Sequence, residues 1–321
     1  MCMMKILLLG HYHQSMIDEL AARHAVEQVK DGDFTKHLHD IDILVLRSHV
    51  GVTTADIDRA GRLSLIIKAG SGFDNIDVNA ARNRGIVVDS TPAASRSVAD
   101  HAVALLLCGW RRLPLFSSEL RAGNWGIKYA QLARDIEGHT LGILGFGQIG
   151  RLMAKRSAAL GFNISVFDRS PMKREKQLVA EQTGASFTNL EELLSRSSAL
   201  SIHLPLTKET QGMIGDVEFD RMPDGIVLVN TGRAGVVQRP ALLAALRSGK
   251  IASAGLDVFH SEPLDPADEL LNLPNVLCTP HVGAQTSEAM ENVGAAVVRR
   301  IEIHATALLS VIKQQNSVVS G

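Results

Sequence analysis

The sequence predicts an α/β protein built on parallel sheets. Short apolar runs that end in turn residues alternate with segments of helical periodicity along most of the 321 residues. The runs are apolar throughout, which is typical of parallel strands that are buried on both faces. A chain of this length can also form two domains, each with its own core.

The N-terminal third carries the first series of these signals. The run KILLLG (5–10) predicts the first strand, and SMIDELAARH after it has helical periodicity. Further strands are predicted at 42–48, 63–70 and 85–92. A long apolar helix pattern follows at 97–113, and its wide apolar face suits either an oligomer interface or burial between two domains.

A second series begins near residue 139. The segment TLGILGFGQIG (140–150) predicts a strand, a glycine turn and the start of a helix. Helical segments separate most of the strands that follow, as expected when parallel strands share one sheet. From Ser287 onward the sequence predicts a helix and a frayed tail. The five further strands of this series are predicted at 163–170, 199–207, 225–233, 252–259 and 275–281.

Composition and charge argue against nucleic acid and membrane partners. The formal net charge is -1, so no long-range field favours a polyanion or an anionic membrane surface. Hydrophobic residues make up 45% and charged residues 21% of the chain, as in ordinary globular proteins. No apolar run reaches the ~20 residues that a membrane-spanning helix needs. The densest basic run, MKREK at 172–176, is expected to be the solvated start of a helix.

Cysteine and histidine usage argues against a disulfide framework and a metal site. The three cysteines, at 2, 108 and 278, form no CxxC pair, which suits a reducing cytoplasm. Two histidine pairs, His11/His13 and His37/His39, resemble metal-ligand pairs, but no cluster of carboxylates accompanies them. We therefore expect a cytoplasmic protein without a bound metal.

The strongest motif is a glycine-rich turn, GFGQIG, with the pattern G-x-G-x-x-G at Gly145, Gly147 and Gly150. It follows an apolar strand and opens a helix, which is the context that the dinucleotide-binding fingerprint requires. Gly145 would allow the tight turn, and Gly147 would let a pyrophosphate approach the backbone. Gly150 would let helix and strand pack closely. The helix N-terminus adds free N–H groups and a partial positive charge.

A carboxylate at the end of the next strand indicates which dinucleotide binds. Asp168 lies 18 residues after Gly150. It can accept hydrogen bonds from the adenosine ribose hydroxyls and would repel a 2′-phosphate, so NAD is expected over NADP. Arg169 follows at once and is able to contact a 2′-phosphate, which leaves NADP open.

Five blocks in this order, GFGQIG, FDRS, VNTGRAGVV, GLDVFHSEP and TPHVGAQTSEA, resemble the D-isomer-specific 2-hydroxyacid dehydrogenases. The N-terminal LRSHVGVT, KAGSGFDNIDV and GIVVDSTPAAS fit as well, so the likeness covers nearly the whole chain. Within the family the chain is most similar to the D-3-phosphoglycerate dehydrogenases. We expect no counterpart of the regulatory C-terminal domain that some of those enzymes carry.

The resemblance implies a fold of two Rossmann-like or flavodoxin-like lobes with parallel sheets and an active site in the cleft between them. A discontinuous substrate-binding domain would comprise residues 1–94 and 286–321, and an NAD-binding Rossmann domain would comprise residues 95–285. Relatives are usually dimers joined through the nucleotide lobes, so a homodimer is expected.

The resemblance also implies three catalytic residues beside the ends of predicted strands: Arg233 in TGRAG, Glu262 in HSEP and His281 in TPHVG. Arg233 would bind the carboxylate of a 2-keto acid through its planar fork of donors. His281 would give the carbonyl oxygen a proton near neutral pH. Glu262 would bind the other ring nitrogen, orient the ring and favour its protonated form. Formate-oxidising relatives have Gln in its place, so Glu262 argues against formate.

Further contacts are implied residue by residue. The backbone N–H groups of Ser71 and Gly72 would bind the substrate carboxylate, and Asp257 would bind the nicotinamide carboxamide. Arg47 matches an anion-binding arginine of the phosphoglycerate dehydrogenases, whereas Lys68 stands where those enzymes usually have arginine. The cofactor path would also be lined by Gln148, Ile149, His203, Pro205, Thr231, Gly232 and Gly283.

Two other functions stay open. A hydroxypyruvate or glyoxylate reductase would have the same catalytic set, because the substitution at Lys68 bears only on the substrate. The blocks GSGFDNID and PAAS also occur in NAD-sensing corepressors, which retain the same Arg, Glu and His. Two further histidines are not assigned to the site. His101 is expected to be a packed helix residue, and His260 is expected to lie at the surface.

Overall fold

The structure is a computed structural model that describes residues 3–48 and 50–319 and divides into two compact units. The N-terminal unit contains the chain up to Ala94 together with the segment from Gln285 onward. The central unit runs from Ser95 to Ala284. Each unit has its own sheet of parallel strands, which confirms the α/β class with two parallel sheets.

The N-terminal unit is built on a five-stranded parallel sheet. Its elements are β1 (Lys5–Leu9), α1 (Gln14–Ala21), β2 (Ala25–Val29), β3 (Ile43–Leu46), α2 (Thr54–Arg59), β4 (Leu65–Lys68), α3 (Val78–Asn83) and β5 (Val87–Ser90). The strand order is β2-β1-β3-β4-β5, which is the order of flavodoxin-like sheets. Strands β3 and β4 are buried along their whole length, and this explains why the sequence shows them as continuous apolar runs.

The central unit is built on a seven-stranded parallel sheet. Its elements are α4 (Ser95–Trp110), α5 (Leu113–Arg121), α6 (Ile127–Ala130), β6 (Thr140–Leu144), α7 (Gln148–Ala159), β7 (Asn163–Phe167), α8 (Arg174–Thr183), β8 (Ser186–Phe187), α9 (Leu190–Arg196), β9 (Ala199–Ile202), α10 (Asp216–Arg221), β10 (Ile226–Asn230), α11 (Arg239–Ser248), β11 (Ile251–Leu256) and β12 (Val276–Cys278). The strand order is β12-β11-β10-β9-β6-β7-β8. From β6 the chain adds β7 and β8 on one side, and it then returns to add β9 to β12 on the other side, so the order reverses between β6 and β9 while all strands stay parallel. Such a reversal opens a crevice at the carboxyl ends of the strands, where open α/β sheets bind ligands.

The long apolar helix α4 packs against its own sheet. A Cβ atom on Gly255 of β11 would lie 2.7 Å from the Cβ of Leu105, so only glycine permits this approach. Leu106 and Trp110 of the same helix are buried in the central core. The helix ends at Trp110, earlier than the sequence pattern predicts, because the backbone at Arg112 turns to a φ of 52°.

The last helix, α12 (Ser287–Val319), returns to the N-terminal unit and packs on α1. Val297 and Ile301 are buried there, and a Cβ on Gly294 would lie 3.0 Å from the Cβ of Met16. The helix continues through residues that the sequence predicts as a frayed tail. Among the residues described, no helix is both long and apolar enough to cross a membrane.

Candidate active site

The carboxyl ends of six neighbouring strands bring the expected functional residues of the central unit to one edge of its sheet. From one side to the other, the strands are β12, β11, β10, β9, β6 and β7. The groups that follow them are, in the same order, His281, Asp257 with Glu262, Thr231 to Arg233, His203 with Pro205, the glycine turn and Asp168. A parallel sheet presents all these ends on one side, so the residues gather although they lie far apart in the sequence.

Two glycines of the turn are required by close contacts, and the third leaves open space. Gly145 has a φ of 93°, and a Cβ there would lie 2.8 Å from the carbonyl oxygen of His203. A Cβ on Gly150 would lie 2.1 Å from the carbonyl oxygen of Gly145, which forbids any side chain at that position. A Cβ on Gly147 would meet nothing within 4 Å. The turn thus leaves room for a ligand at the N-terminus of α7, where free N–H groups favour an anion.

Asp168 is tied to this turn. Its Oδ2 accepts a hydrogen bond from the backbone N–H of Phe146 at 2.8 Å, and its Oδ1 accepts one from the N–H of Ser170 at 2.7 Å. Lys176 of α8 also donates to Oδ1. Burial opposes ionisation of the carboxyl, but the hydrogen bonds from Lys176, Ser170 and Phe146 outweigh it and lower the pKa of Asp168. Asp168 is therefore a fixed carboxylate beside the glycine turn.

Two buried polar atoms on the neighbouring strand ends have no hydrogen-bond partner in the described structure: Nδ1 of His203 and Oγ1 of Thr231. Buried polar atoms rarely remain unpaired, so each is a candidate contact for a bound molecule. Nε2 of His203 lies 2.9 Å from Oγ of Ser201, and burial lowers the pKa of His203 to about 4. The imidazole is therefore neutral near pH 7.

The remaining expected cofactor residues lie along the same edge. Gln148 and Ile149 open α7, and Oε1 of Gln148 accepts a hydrogen bond from Oγ of Ser95 at 3.1 Å. Pro205 is exposed after β9. A Cβ on Gly232 would lie 2.9 Å from the carbonyl oxygen of Ile202. Together with the open Gly147 and the unpaired atoms of the residues that directly follow β9 and β10, these residues fit a dinucleotide.

His281 and Glu262 form a hydrogen-bonded pair. Nδ1 of His281 lies 2.8 Å from Oε2 of Glu262, and Oε1 of the same carboxylate accepts a bond from the N–H of Phe259 at 3.0 Å. Burial alone would raise the pKa of Glu262, but the bonds from His281 and Phe259 lower it. The side chains remain 33% and 27% exposed, so the pair is open to a reactant. With Nδ1 engaged, Nε2 is the ring atom left for proton transfer.

The backbone of His281 takes an uncommon conformation, with a φ of 52°. Asp257 holds the segment on either side of this residue. Its Oδ1 accepts bonds from Oγ1 of Thr279 at 2.6 Å and from the N–H of Val282 at 2.9 Å. Its Oδ2 accepts a bond from the N–H of Gly283 at 2.9 Å. In this structure Asp257 thus shapes the His281 loop, a role that the sequence did not indicate.

His101 of α4 contacts the residues that hold the His281 loop. Its Nε2 lies 2.9 Å from Oγ1 of Thr279 and 3.4 Å from Oδ1 of Asp257. Neither His101 nor Thr279 was assigned to the site from the sequence. Thr279 lies two residues before His281, so its place in the sequence could have indicated that it belongs to the site. The contact with His101 joins residues 178 positions apart and had no signal in the sequence.

Arg233 follows β10 in extended backbone, beside the strand that leads to Glu262. Its Nη1 donates to the carbonyl oxygen of Gly232 at 2.7 Å. Asn230 shapes the turn, because its Oδ1 accepts from the N–H of Gly232 at 3.0 Å and its Nδ2 donates to the carbonyl of Arg233 at 3.1 Å. The turn thereby holds the guanidinium at the same sheet edge as the other residues.

The remaining site residues predicted from the sequence lie in the N-terminal unit, at the carboxyl ends of β3 and β4. Arg47 is 9% exposed, and its Nη1 contacts Sδ of Met290 at 3.2 Å. Lys68 is 1% exposed and donates to Oδ1 of Asn75 at 2.7 Å. The turn after Lys68 holds Ser71, which is exposed, and Gly72, which has a φ of 85°.

The described residues also bear on the histidine pairs, the basic run and His260. No group of three or more histidine, cysteine or acidic residues within 3–48 and 50–319 is placed to hold a metal ion. The basic run 172–176 does contain the start of a helix, since α8 begins at Arg174. The expectation that it is solvated is wrong for Lys176, which is buried against Asp168. His260 is exposed, and its Nε2 lies 3.1 Å from the carbonyl oxygen of Val237.

Comparison with known proteins shows what this arrangement is similar to. Residues 103–283 match the family model described as D-isomer specific 2-hydroxyacid dehydrogenase, NAD binding domain. The chain is 41% identical over 281 residues to hydroxypyruvate reductase of Thermotoga maritima, covering 86% of this chain and 88% of that protein. It is 37% identical over 303 residues to D-3-phosphoglycerate dehydrogenase of Archaeoglobus fulgidus. That match covers 93% of this chain but 56% of the relative, so the chain spans little more than half its length.

Solved structures match along nearly the whole chain. A glyoxylate reductase from Paecilomyes thermophila is similar with a TM-score of 0.84 and 32% identity, covering 94% of this chain and 95% of that one. A D-lactate dehydrogenase from Aquifex aeolicus, complexed with NAD and lactic acid, is similar with a TM-score of 0.83 and 29% identity. That match covers 96% of this chain and 97% of the other.

Proposed function

The chain belongs to the D-isomer-specific 2-hydroxyacid dehydrogenase family, and from this premise we propose that it interconverts a 2-keto acid and a D-2-hydroxy acid with NAD as its cofactor. The observation that carries the proposal is the pair of Glu262 and His281, 2.8 Å apart, on the same sheet edge as the open glycine turn. The bound cofactor supplies a hydride in reduction and accepts one in oxidation.

The residues of this chain have separate tasks in the proposed reaction. Arg233 binds the substrate carboxylate, and its charge also polarises the neighbouring carbonyl. Nε2 of His281 gives a proton to the carbonyl oxygen in reduction and takes it back in oxidation. Glu262 fixes the ring through Nδ1 and stabilises the positive charge that the protonated ring carries.

The proposed cofactor contacts lie along one sheet edge, where Gly147 is open and His203 and Thr231 have unpaired buried atoms. The N–H groups at Gly147, Gln148 and Ile149 would bind the pyrophosphate, because this turn opens α7 and has room for a ligand. Asp168 would accept from the adenosine ribose. Further proposed contacts are Gly145, Gly150, His203, Pro205, Thr231, Gly232, Asp257 and Gly283.

For the substrate, we propose first a phosphorylated three-carbon keto acid, as in the relatives named D-3-phosphoglycerate dehydrogenase. In this proposal residues 1–94 and 286–321 form the substrate-binding domain, Ser71 and Gly72 bind the carboxylate, and Arg47 and Lys68 bind the phosphate. One observation favours a second candidate, a small unphosphorylated keto acid: the buried ammonium of Lys68 is committed to Asn75. The relative named hydroxypyruvate reductase also aligns along most of its length.

A panel of keto acids distinguishes these candidates. NADH oxidation is followed with 3-phosphohydroxypyruvate, hydroxypyruvate, glyoxylate, pyruvate and 2-oxoglutarate. A kcat/KM highest for the phosphorylated acid, and lowered by Lys68→Met for that acid alone, supports the first candidate. Turnover of only the unphosphorylated acids supports the second. Tight NADH binding without turnover of any 2-keto acid contradicts the enzyme proposal and favours an NAD-sensing binding protein.

We further propose that the chain forms a homodimer through an apolar surface on the segment from α5 to the loop after α6. The exposed apolar side chains of this surface are Leu113, Leu120, Trp125, Tyr129 and Leu132. Sedimentation velocity should give a dimer for the wild type and a monomer for Tyr129→Glu with Leu132→Glu. Met172→Glu is the control, since Met172 is 82% exposed elsewhere in the central unit. A dimer that survives the double substitution contradicts the proposed surface.

We also propose a cytoplasmic location. Cys108 and Cys278 are free thiols in the described structure, and unpaired cysteines suit a reducing compartment. Burial raises the pKa of Cys278 to about 11, so this thiol stays protonated near neutral pH and reacts slowly with oxidants.

A further inference from the structure

The ion pair of Lys176 and Asp168 lies beside the proposed cofactor site and has no task in the proposed reaction. Lys176 is on the first turn of α8 and Asp168 follows β7. Each side chain is only 10% exposed. A charge on this lysine therefore acts through little water, where it is stronger than a surface charge.

The hydrogen bonds of the Asp168 carboxylate leave limited room for a ribose. Each carboxylate oxygen has two acceptor positions. Those of Oδ1 are taken by the N–H of Ser170 and by Lys176, and one of those of Oδ2 is taken by the N–H of Phe146. While the ion pair persists, Asp168 can thus accept from one ribose hydroxyl only. The ammonium of Lys176 has three donors and uses one of them on Asp168.

A cation beside the carboxylate changes how the site responds to a 2′-phosphate. A lone carboxylate repels that group, and this repulsion is the usual basis for preferring NAD. Here Lys176 offsets the charge of Asp168. With the adenosine ribose bound at Asp168, the remaining donors of Lys176 would be available to an oxygen at the 2′ position. The charge of Arg169 should have a weaker effect on a 2′-phosphate. Its side chain is 55% exposed, and its Nη2 lies 3.5 Å from Oε2 of Glu209.

We propose that Lys176 is a specificity-determining residue, which weakens the discrimination against a ribose 2′-phosphate so that NADP binds as a second, weaker cofactor. The proposal takes the location of the adenosine ribose from the proposed function. It deepens that function, because it concerns which dinucleotide the same site accepts.

The test measures dissociation constants by isothermal titration calorimetry with NADH and NADPH, without any substrate. Lys176→Met keeps the length of the side chain and removes its charge. It should raise the Kd for NADPH by about tenfold or more and that for NADH by less than about threefold, because Asp168 then repels the 2′-phosphate unopposed. Lys176→Arg keeps the charge and should hold the ratio of the two constants within about threefold of the wild type.

Lys155→Met is the matched control, since Lys155 is an exposed lysine of α7 in the same unit. It should leave both constants within about twofold of their wild-type values. Equal weakening of NADH and NADPH binding by Lys176→Met, or a greater loss of NADH binding, overturns the proposal.

If Lys176→Met does not fold, a measurement on the wild type decides. Adenosine 2′,5′-bisphosphate should displace NADH within about tenfold of the concentration that AMP requires, and no displacement overturns the proposal.

This outcome is independent of the keto acid panel. If no keto acid of the panel is turned over but Lys176→Met changes the ratio of the two Kd values as expected, the proposed reaction is contradicted and the proposed role of Lys176 is supported. Turnover of a keto acid with an unchanged Kd ratio does the reverse.

Discussion

At the scale of single residues, the conformation of His281 is the most informative feature of the site. A residue with a Cβ atom at a φ of 52° pays a cost of about 1 kcal/mol or more, so the surrounding bonds must hold it there. Asp257 fixes the two N–H groups that follow, and Glu262 fixes the ring. Strain of this kind is common where a side chain must be presented to a ligand.

His203 should make the stability of the protein depend on pH. Burial lowers its pKa to about 4 in the folded state, while an unfolded chain has a histidine pKa near 6.5. Between these values the unfolded state binds more protons, so stability falls as the pH falls from about 6.5 to about 4. We expect the free energy of unfolding to fall by about 2 kcal/mol less in His203→Gln than in the wild type between pH 7.5 and pH 5.

Urea unfolding of both proteins at pH 5 and pH 7.5 measures this effect. His260→Gln serves as the control because His260 is exposed. If the wild type and His203→Gln lose the same free energy of unfolding on acidification, His203 does not titrate as a buried neutral group.

The sequence predicted residue identities better than residue environments. Arg233, Glu262 and His281 stand in motifs whose spacing can be compared directly with a family. The contacts of His101 with Thr279 and of Lys176 with Asp168 involve side chains that meet only after folding. Periodicity marked the basic run containing Lys176 as polar, and it could not show that one of its lysines would turn inward to Asp168.

At the scale of elements, the loop after β12 depends on a short network that begins on α4. His101 contacts Thr279, Thr279 donates to Asp257, and Asp257 binds the residues after His281. The loop is therefore held by a helix on the same sheet as well as by the strand that precedes it.

Thr279→Val should test this network because it keeps the shape of the side chain and removes the hydroxyl. Asp257 then loses a donor in a site where it is 2% exposed, which we expect to cost about 1–3 kcal/mol of stability. We also expect kcat to fall about tenfold, with little change in the Kd for NADH, since the glycine turn is untouched. Thr279→Ser keeps the hydroxyl and should recover most of the activity. Equal activity of the two variants would contradict a positioning role for the network.

The strands that the sequence did not predict are both at sheet edges. β2 carries Glu27 and Gln28 among its five residues and is only partly buried, so it lacks the continuous apolar run of the inner strands. β8 has two residues. Patterns of apolar residues detect strands covered on both faces, such as β3 and β9. The pattern missed β2, which is interrupted by polar residues, and β8, which is too short to form a run.

At the scale of the whole molecule, the order of strands explains why the site is where it is. The seven-stranded sheet reverses between β6 and β9, and the glycine turn and His203 flank that reversal. Strands β10 to β12 then extend the same edge to Arg233, Glu262 and His281. The sequence predicted alternating strands and helices, but the spatial order that brings distant motifs together required the structure or a known family.

The central claim is that His281 transfers the proton in a reaction of 2-keto acids. The most direct measurement is kcat for NADH oxidation, with the best acid of the panel, in the wild type, His281→Gln and His260→Gln. We expect His281→Gln to lower kcat by about 10³-fold while its Kd for NADH stays within about twofold. His260→Gln should keep kcat within about twofold, because that exposed ring lies outside the pair. A kcat for His281→Gln within about tenfold of the wild type would contradict the account.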